Sequence, residues 1–141
     1  MKIKNYKILL IIIFFSLIGP ANAENTFFTD GKNYFNSENY KKAKISFEKD
    51  IVFNPKSEKS YLYLAKIFNK EKKAILEENN LKTVLLLNPK NEEAIYFLAK
   101  LSIEKSDFLK ASDLIKTFDK VCNKLCSEST KLKDKLKNSS K

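Results

Sequence analysis

Apolar side chains recur every three or four residues along most of the chain. Tyr61, Leu64, Ala65 and Phe68 lie at i, i+3, i+4 and i+7, which places them on one face of a helix. The same spacing is found in Tyr40, Ala43 and Phe47 and again in Leu114, Ile115 and Phe118. No useful stretch alternates as a half-buried strand would. The pattern predicts an all-α fold with helices at about 25–37, 40–53, 57–70, 73–87, 91–105, 108–121 and 127–138.

Two blocks of sequence repeat with one period. Asn54-Pro55-Lys56 recurs as Asn88-Pro89-Lys90, and the block 61–66 is matched by the block 95–100, in each case 34 residues later. The period divides the chain into units 24–57, 58–91 and 92–125, followed by a predicted capping helix within 126–141. One helical pair cannot bury its own apolar face, so stacked neighbours are expected to share one core.

The repeated units resemble those of the tetratricopeptide-repeat family, whose period is 34 residues. The first unit has its pattern in Phe27, Gly31, Tyr34, Ala43, Phe47 and Pro55; the second in Tyr61, Leu64, Ala65, Phe68, Leu81 and Pro89; the third in Ile95, Leu98, Ala99, Phe108, Ala111 and Ile115. The resemblance covers essentially all of the chain after residue 23. It implies an α-solenoid of three helical hairpins plus a C-terminal capping helix. The segment that precedes the repeats makes the chain similar to exported, bacterial-type members.

Four residues depart from the family pattern. Asp30 replaces the expected Leu of the first unit, and Ser102 replaces an aromatic residue of the third. Asn123 stands where the third Pro would be. Glu77 occupies the small-Ala position of the second unit, where a buried carboxylate without a partner is costly. Two N-caps are predicted from residue type alone. Ser57 and Asn91 precede predicted helices, and their side chains are expected to accept hydrogen bonds from the free backbone N–H groups of the first turn.

Residues 1–23 have the pattern of a secretory signal peptide. Residues 1–7 contain three Lys and no acid, residues 8–18 are apolar except for Ser16, and Ala21-Asn22-Ala23 is a small-x-small cleavage site. The alternative is an uncleaved inner-membrane anchor at residues 8–19, although a spanning helix needs about 20 apolar residues. We expect cleavage before Glu24 and a periplasmic location.

The composition excludes many kinds of enzyme. The chain has no His, so it lacks a Ser-His-Asp triad and a His-ligated zinc site. Two Cys cannot form a four-thiolate metal site, and two Gly cannot supply a glycine-rich phosphate loop. We therefore predict no enzyme activity, no catalytic residues, no metal and no cofactor.

In the family, the first helix of each pair lines a concave face, and three rows with the 34-residue period fall there. Lys32, Lys66 and Lys100 form one row; Phe28, Leu62 and Tyr96 form the second; Phe35, Asn69 and Ile103 form the third. Tyr63, Lys70 and Phe97 flank them in the predicted peptide-binding groove. A lysine row between aromatic and apolar rows suits a peptide that carries acidic groups. The competing interpretation is that the lysines form a solvated face.

Cys122 and Cys126 bracket the predicted turn after the third unit. An exported protein meets an oxidising compartment, and across a turn the two side chains are close enough to form a disulfide. Two buried thiols are the alternative. A redox-active pair is disfavoured because the spacing is C-x-x-x-C rather than C-x-x-C.

The 27 basic residues against 17 acidic ones give a net charge of +10, and all 27 are Lys. Sequence-specific reading of nucleic acid relies on Arg, so no nucleic-acid partner is expected. The Lys residues are spread over all units, so contact with a membrane is expected only through an uncleaved signal segment. Such a composition is typical of an AT-rich genome.

Three functions follow from these features. The first is a non-enzymatic exported scaffold that binds a protein or peptide through the concave face. The second is a structural segment of an envelope assembly that stacks through its end helices, with Phe27 and Phe28 at the exposed end. The third is thiol-based redox activity at the two cysteines.

Overall fold

A computed structural model describes residues 26–139, which form seven α-helices and no strand. The helices are α1 (Thr26–Asn36), α2 (Tyr40–Phe53), α3 (Glu58–Lys70), α4 (Ala74–Leu87), α5 (Glu92–Glu104), α6 (Phe108–Val121) and α7 (Glu128–Ser139). Each boundary falls within one residue of its predicted position, and the all-α prediction is confirmed. The predicted signal segment, residues 1–23, lies outside the described residues.

The helices pack as three hairpins, α1/α2, α3/α4 and α5/α6, stacked in chain order. Each hairpin completes its core with residues of the next one. Leu64, Ile67 and Phe68 of α3 pack with Phe47 of the first hairpin, whereas Ala94 and Leu98 of α5 pack into the second. α7 lies against α5 and α6 and covers the third core with Leu132. The second and third hairpins therefore bury faces that no single hairpin could cover alone.

The turns within the hairpins share one backbone conformation. Glu38, Lys72 and Ser106 have φ values of 59°, 58° and 61°, although none of them is glycine. The Lys72 N–H donates to Asn69 O at 3.1 Å, and the next N–H, of Lys73, donates to Phe68 O at 2.9 Å. This is the Schellman arrangement that ends a helix with one left-handed residue. The three residues are 34 positions apart, so the period extends to backbone geometry.

A glutamate at the start of a helix fastens the turn after the second hairpin and the turn after the third. Glu58 accepts hydrogen bonds from the side-chain amides of Asn88 and Asn91. Glu92, its counterpart 34 residues later, accepts instead from backbone N–H groups, including that of Asn123 at 2.6 Å. A proline has no N–H, so Asn123 at the third proline position supplies a donor that Pro89 lacks.

The predicted helix caps differ in outcome. Asn91 caps α5 as expected, since its side chain accepts from the Ala94 N–H at 2.8 Å. Ser57 precedes α3, but its side chain makes no cap hydrogen bond. Its hydroxyl donates to the buried Asp50 carboxylate at 2.5 Å, as does the hydroxyl of Ser60. The prediction of a side-chain cap at Ser57 was therefore wrong, because its hydroxyl is oriented toward Asp50 and Ser60 rather than toward the free N–H groups of α3.

The outer face of α1 is polar. Leu64, Ile67 and Phe68 pack α3 against the preceding hairpin, and the residues 34 positions earlier on α1 are Asp30, Asn33 and Tyr34. These three are exposed. The departure at Asp30 thus has a physical reason, since a terminal repeat needs a face that water can solvate. Phe28, in contrast, packs inward onto Phe47 and Tyr63, whereas Phe27 stacks on Phe53, which is 71% exposed.

Cys122 and Cys126 form a disulfide with their Cα atoms 5.2 Å apart. The bridge closes the loop whose N–H groups, at residues 123–125, donate to Glu92. Within residues 26–139, no helix has the length and apolar character needed to cross a membrane.

Candidate functional site

The candidate site is the first-helix surface, which we define as the exposed and half-buried side chains of α1, α3 and α5. It contains all of the predicted groove residues except Leu62. Leu62 is 7% exposed and packs with Ala65, Leu81 and Val84 in the second core. Its assignment to an open groove was wrong, because α3 is buried between two hairpins over more of its circumference than the terminal α1.

An aromatic cluster joins α1 to α3. The ring centroids of Phe28 and Phe35 lie 5.9 and 5.0 Å from that of Tyr63. The Tyr63 ring also stacks on the buried Phe47, at 4.9 Å and an interplanar angle of 15°. Edge-to-face and stacked contacts at these distances are favourable. The half-buried edges of Phe28, Phe35 and Tyr63 therefore form a fixed apolar wall on the first-helix surface.

Lys66 lies at the centre of the surface and has three partners. Its Nζ is 2.5 Å from Glu93 Oε1, 5.0 Å from the Tyr63 ring centroid and 6.0 Å from that of Phe97. Its side chain is 21% exposed. Burial, and then the negative charge of Glu93, raises the pKa of the Tyr63 hydroxyl. Lys66 is thus a positioned cation whose charge is balanced by one carboxylate.

The other cations of the surface have different surroundings. Lys32 is exposed and Lys100 is half-buried. Lys70 Nζ lies 5.0 Å above the Tyr40 ring, and Lys59 Nζ lies 6.0 Å above Phe28. The lysine row therefore has equivalent helix positions but not equivalent environments, and its central member is the most constrained.

Tyr96 lies at the end of the first-helix surface that is next to the capping helix α7, away from Phe28. Its ring centroid is 5.3 Å from that of Phe97 and 6.0 Å from that of the buried Phe118, and its hydroxyl is 3.5 Å from Glu128 Oε2. Burial, and then the charge of Glu128, raises the pKa of Tyr96. Tyr96, predicted as a groove residue, is therefore only half-buried on the first-helix surface and also packs against the third core beside α7.

Asn69 has a structural partner at the edge of the surface. Its Nδ2 donates to both carboxylate oxygens of Glu77, at 3.0 and 3.1 Å. Glu77 is only 3% exposed, and burial raises its pKa, partly offset by the Asn69 hydrogen bond. The carboxylate at the small-Ala position is therefore accommodated by the amide that lies opposite it.

No protein-family model and no curated protein sequence matches this chain. Solved structures match it with high probability. The first TPR of Spaghetti (RPAP3), bound to the HSP90 peptide SRMEEVD, has 14% identity and a TM-score of 0.74, with 84% of this chain and 96% of that one covered. The TPR2B domain of yeast Sti1, in a pHsp70 complex, has 16% identity and a TM-score of 0.70, with 83% and 95% covered.

The Yersinia enterocolitica type III secretion chaperone SycD, in complex with a peptide of the translocator YopD, has 15% identity and a TM-score of 0.75, with 85% and 94% covered. The chain has the tetratricopeptide-repeat fold. The resemblance stated from the sequence is confirmed at this level. As a tetratricopeptide-repeat solenoid, the chain has α1, α3 and α5 as the first helices of its repeats, so the first-helix surface is the one expected to line the concave face.

Glu93 is the residue of this surface that sequence analysis missed. It precedes Phe97 by four residues on α5 and therefore lies on the same helix face. The residue 34 positions earlier is Lys59, so the position changes charge sign between repeats. That sign change, next to the lysine row, was the signal available in the sequence.

The chemistry of the surface is that of binding. It presents ammonium groups, aromatic rings and, beside Lys66, the carboxylate of Glu93. Within residues 26–139, no group of three or more Cys, Asp or Glu side chains is placed to hold a metal ion. The rings are held by packing, and Lys59, Lys66 and Lys70 lie against rings, so the part of the surface around Lys66 is preformed for a ligand.

Proposed function

We propose that this protein is a non-enzymatic, exported tetratricopeptide-repeat scaffold that binds a protein or peptide through its first-helix surface. The observation that carries the proposal is the Lys66 site, in which a cation lies within 6.0 Å of two ring centroids and is balanced by Glu93. Support by analogy comes from two solved structures of the same fold, which hold the peptide SRMEEVD and a peptide of YopD.

The arrangement favours a ligand with acidic groups. A ligand carboxylate that replaces Glu93 at Lys66 keeps the ion pair and leaves the ring contacts unchanged. Lys32 and Lys100 lie on either side along the stack and have no carboxylate in a salt bridge with them in the part of the chain that the structure describes. The aromatic wall of Phe28 and Phe35 then offers apolar contact next to the charges.

Export is part of the proposal and rests on the sequence of residues 1–23. The Cys122–Cys126 disulfide supports it, since disulfides persist in oxidising compartments. The native protein is expected to begin at Glu24 by intact-mass measurement and to show no free thiol when denatured without reductant. A mass that includes residues 1–23 would indicate the inner-membrane anchor instead.

The alternative, end-to-end stacking in an envelope assembly, has less support. Asp30, Asn33 and Tyr34 on the outer face of α1 are exposed. Of the two predicted end residues, Phe28 packs onto Phe47 and Tyr63, and only Phe27 stacks on an exposed ring, that of Phe53. A monomeric mass by light scattering over a wide concentration range would agree with this conclusion.

Binding of defined peptides tests the function. The probes are SRMEEVD and a version of it in which both Glu and the Asp are replaced by Lys, titrated by calorimetry. We expect the acidic peptide to bind and the basic one not to bind. Lys66→Glu should abolish binding, whereas the matched Lys116→Glu on α6 should leave it unchanged.

Both variants should keep the helical circular dichroism of the parent protein. If both variants bind the acidic peptide equally, the first-helix surface is not the binding site. A broader set of acidic peptides distinguishes a wrong probe sequence from a wrong surface, because Lys66→Glu must weaken every binder found.

A further inference from the structure

The capping helix α7 is held on the third hairpin by few apolar contacts. Leu132 is 3% exposed and Leu136 is half-buried, and both pack on the third core. The ion pair between Lys133 and Asp119 is partly exposed, and such pairs contribute little to stability. The docking of α7 therefore depends strongly on how the segment before its first turn is held.

That segment is held by one carboxylate. The backbone N–H groups of Asn123, Lys124 and Leu125 donate to Glu92 Oε2 at 2.6, 3.0 and 3.3 Å. Three consecutive N–H groups reach one oxygen only while the loop keeps its shape. The disulfide between residues 122 and 126 closes this loop at both ends, so it maintains the shape that Glu92 binds.

The two earlier turns between hairpins are constrained differently. Residues 54–57 and 88–91 contain no cysteine, but they contain Pro55 and Pro89, whose rings fix the backbone φ angle. Asn123 stands at the equivalent position of the third turn. The third turn is therefore constrained by a bond that a thiol can break, whereas the first two are constrained by rings that it cannot change.

The disulfide is open to attack from one side. Cys126 is exposed, whereas Cys122 is half-buried and packs on the third core. A thiolate from solution can therefore reach the sulfur of Cys126. The bridge spans only residues 122–126, and a loop this short gives a disulfide little of the entropic stabilisation that a long loop gives.

We propose that the Cys122–Cys126 disulfide is a thiol-exchange site whose reduction releases α7 from the third core. One thiolate of a dithiol reductant attacks Cys126 Sγ, and Cys122 leaves as a thiolate and takes up a proton. The second thiol of the reductant then attacks the mixed disulfide, which frees the Cys126 thiol and closes the disulfide of the reductant. Two electrons thus pass from the dithiol to the bridge.

Release of α7 changes the C-terminal end of the solenoid. The opened loop loses Glu92, and the third core, which includes Ile115 and Phe118, opens to water. In this proposal the cysteine pair is acted on by a reductant and is not itself a redox catalyst, in keeping with its C-x-x-x-C spacing. The response needs no ligand on the first-helix surface, so it is independent of the proposed function.

Reduction of the native protein is the first test. The full chain is incubated without denaturant in excess reduced glutathione, two molecules of which stand in for the dithiol, and free thiols are then labelled and counted by mass. We expect both cysteines to be labelled, because exposed disulfides yield to glutathione whereas structural ones resist it. Labelling that requires denaturant would overturn the proposal.

Hydrogen exchange followed by mass spectrometry locates the effect of reduction. The amides of α7 should exchange at least about tenfold faster in the reduced protein, whereas those of α3 and α4 should change by less than about twofold. The double variant Cys122→Ser with Cys126→Ser should match the reduced protein and should not respond to reductant. Equal acceleration in all helices would show that the bridge stabilises the whole fold, and would contradict the proposal.

A matched variant supplies the exchange pattern of an undocked α7. Leu132→Ala removes the apolar anchor of the helix but leaves both cysteines in place, so its oxidised form should already show fast exchange at residues 128–139. The reduced parent protein should resemble this variant. A reduced parent protein whose α7 stays as protected as in the oxidised form would overturn the proposal.

Discussion

The second hairpin and its two neighbours pack the same pair of positions with different chemistry. In the first and third hairpins, a large apolar residue of the first helix is matched by an alanine of the second, as Phe35 with Ala43 and Ile103 with Ala111. In the second hairpin the equivalent residues are Asn69 and Glu77, which are joined by two hydrogen bonds. In the second hairpin, an amide thus replaces the large apolar residue of the first helix, and a carboxylate replaces the alanine of the second.

This difference shows that a residue that departs from the repeat pattern is best interpreted together with the residue that packs against it. Taken without its partner, Glu77 is a buried carboxyl group at an alanine position. With Asn69 opposite it, the carboxylate has two hydrogen bonds, and the cost of burial is reduced. The middle repeat therefore stays in register with the others while it holds a polar pair.

The largest effect is expected from removing one member of that pair. Asn69→Ala leaves the buried Glu77 carboxylate without its amide donor and should destabilise the protein by about 3 kcal/mol, measured by urea unfolding followed by circular dichroism. The double variant Asn69→Ile with Glu77→Ala copies the third hairpin and should return to within about 1 kcal/mol of the parent protein. A double variant as unstable as Asn69→Ala would show that the two positions do not compensate each other.

The first hairpin also differs from the others in the sizes of one pair of packed residues. A Cβ built on Gly31 would lie 2.7 to 3.0 Å from three atoms of the Phe47 ring, and that ring is fully buried. The equivalent pairs are Ala65 with Leu81 and Ala99 with Ile115. Gly31→Ala should therefore cost about 2 kcal/mol, since overpacking a tight core strains it.

The added variant Gly31→Ala with Phe47→Leu copies the second hairpin and should recover part of the lost stability. Thermal unfolding of the three proteins measures this. If Gly31→Ala alone is neutral, the close approach of α1 and α2 is not a constraint.

Two neighbouring glutamates of α4 are expected to respond to pH with opposite signs. Burial raises the pKa of Glu77, so its contribution becomes unfavourable as pH rises above the ordinary value of 4.5. Hydrogen bonds from Lys105, Lys110 and Lys82 lower the pKa of Glu78. Its contribution is therefore present above that ordinary value and is lost as pH falls.

Glu78→Gln should accordingly cost about 1–2 kcal/mol at neutral pH, with the loss shrinking in acid and in high salt because the lysines are partly exposed. Glu77→Gln should gain stability relative to the parent protein as pH rises. Unfolding measured across pH tests both signs. Parallel pH profiles for the two variants would contradict the different environments of the two carboxylates.

The smallest effect concerns the three equivalent turns. Lys72 has a φ of 58°, where a side chain is strained and glycine is not. Lys72→Gly should stabilise the protein by about 0.5–1 kcal/mol, since relief of strain outweighs the added freedom of the unfolded chain. Glu38→Gly and Ser106→Gly should give similar gains in chemical unfolding. A loss of stability in all three variants would mean that the freedom of the unfolded chain outweighs the strain of the left-handed turn.

The sequence was sufficient for the fold because the signals that set helices and their stacking are local and periodic. Apolar spacing and the 34-residue period predicted every helix boundary to within one residue. The candidate site was less predictable because it depends on contacts between repeats. Leu62, Tyr96 and Asn69 face other helices, and nothing in a single helix pattern distinguishes a groove wall from an inter-repeat contact.

Lys66 and Glu93 show the same limit. The helix face on which each residue lies was predictable from the sequence. The ion pair, however, exists only because α3 and α5 lie side by side. The presence of Glu77 at a position where the family has alanine was visible in the sequence. Its compensation by Asn69 required knowing which residue of the first helix lies opposite.

The central functional claim is that Lys66 binds a ligand carboxylate in place of Glu93. The most direct measurement is the affinity of Glu93→Gln for the acidic peptide SRMEEVD by calorimetry. Removal of the competing carboxylate should raise the affinity by about three- to fivefold, with no gain for the basic peptide. An affinity that is unchanged or lower would contradict the account.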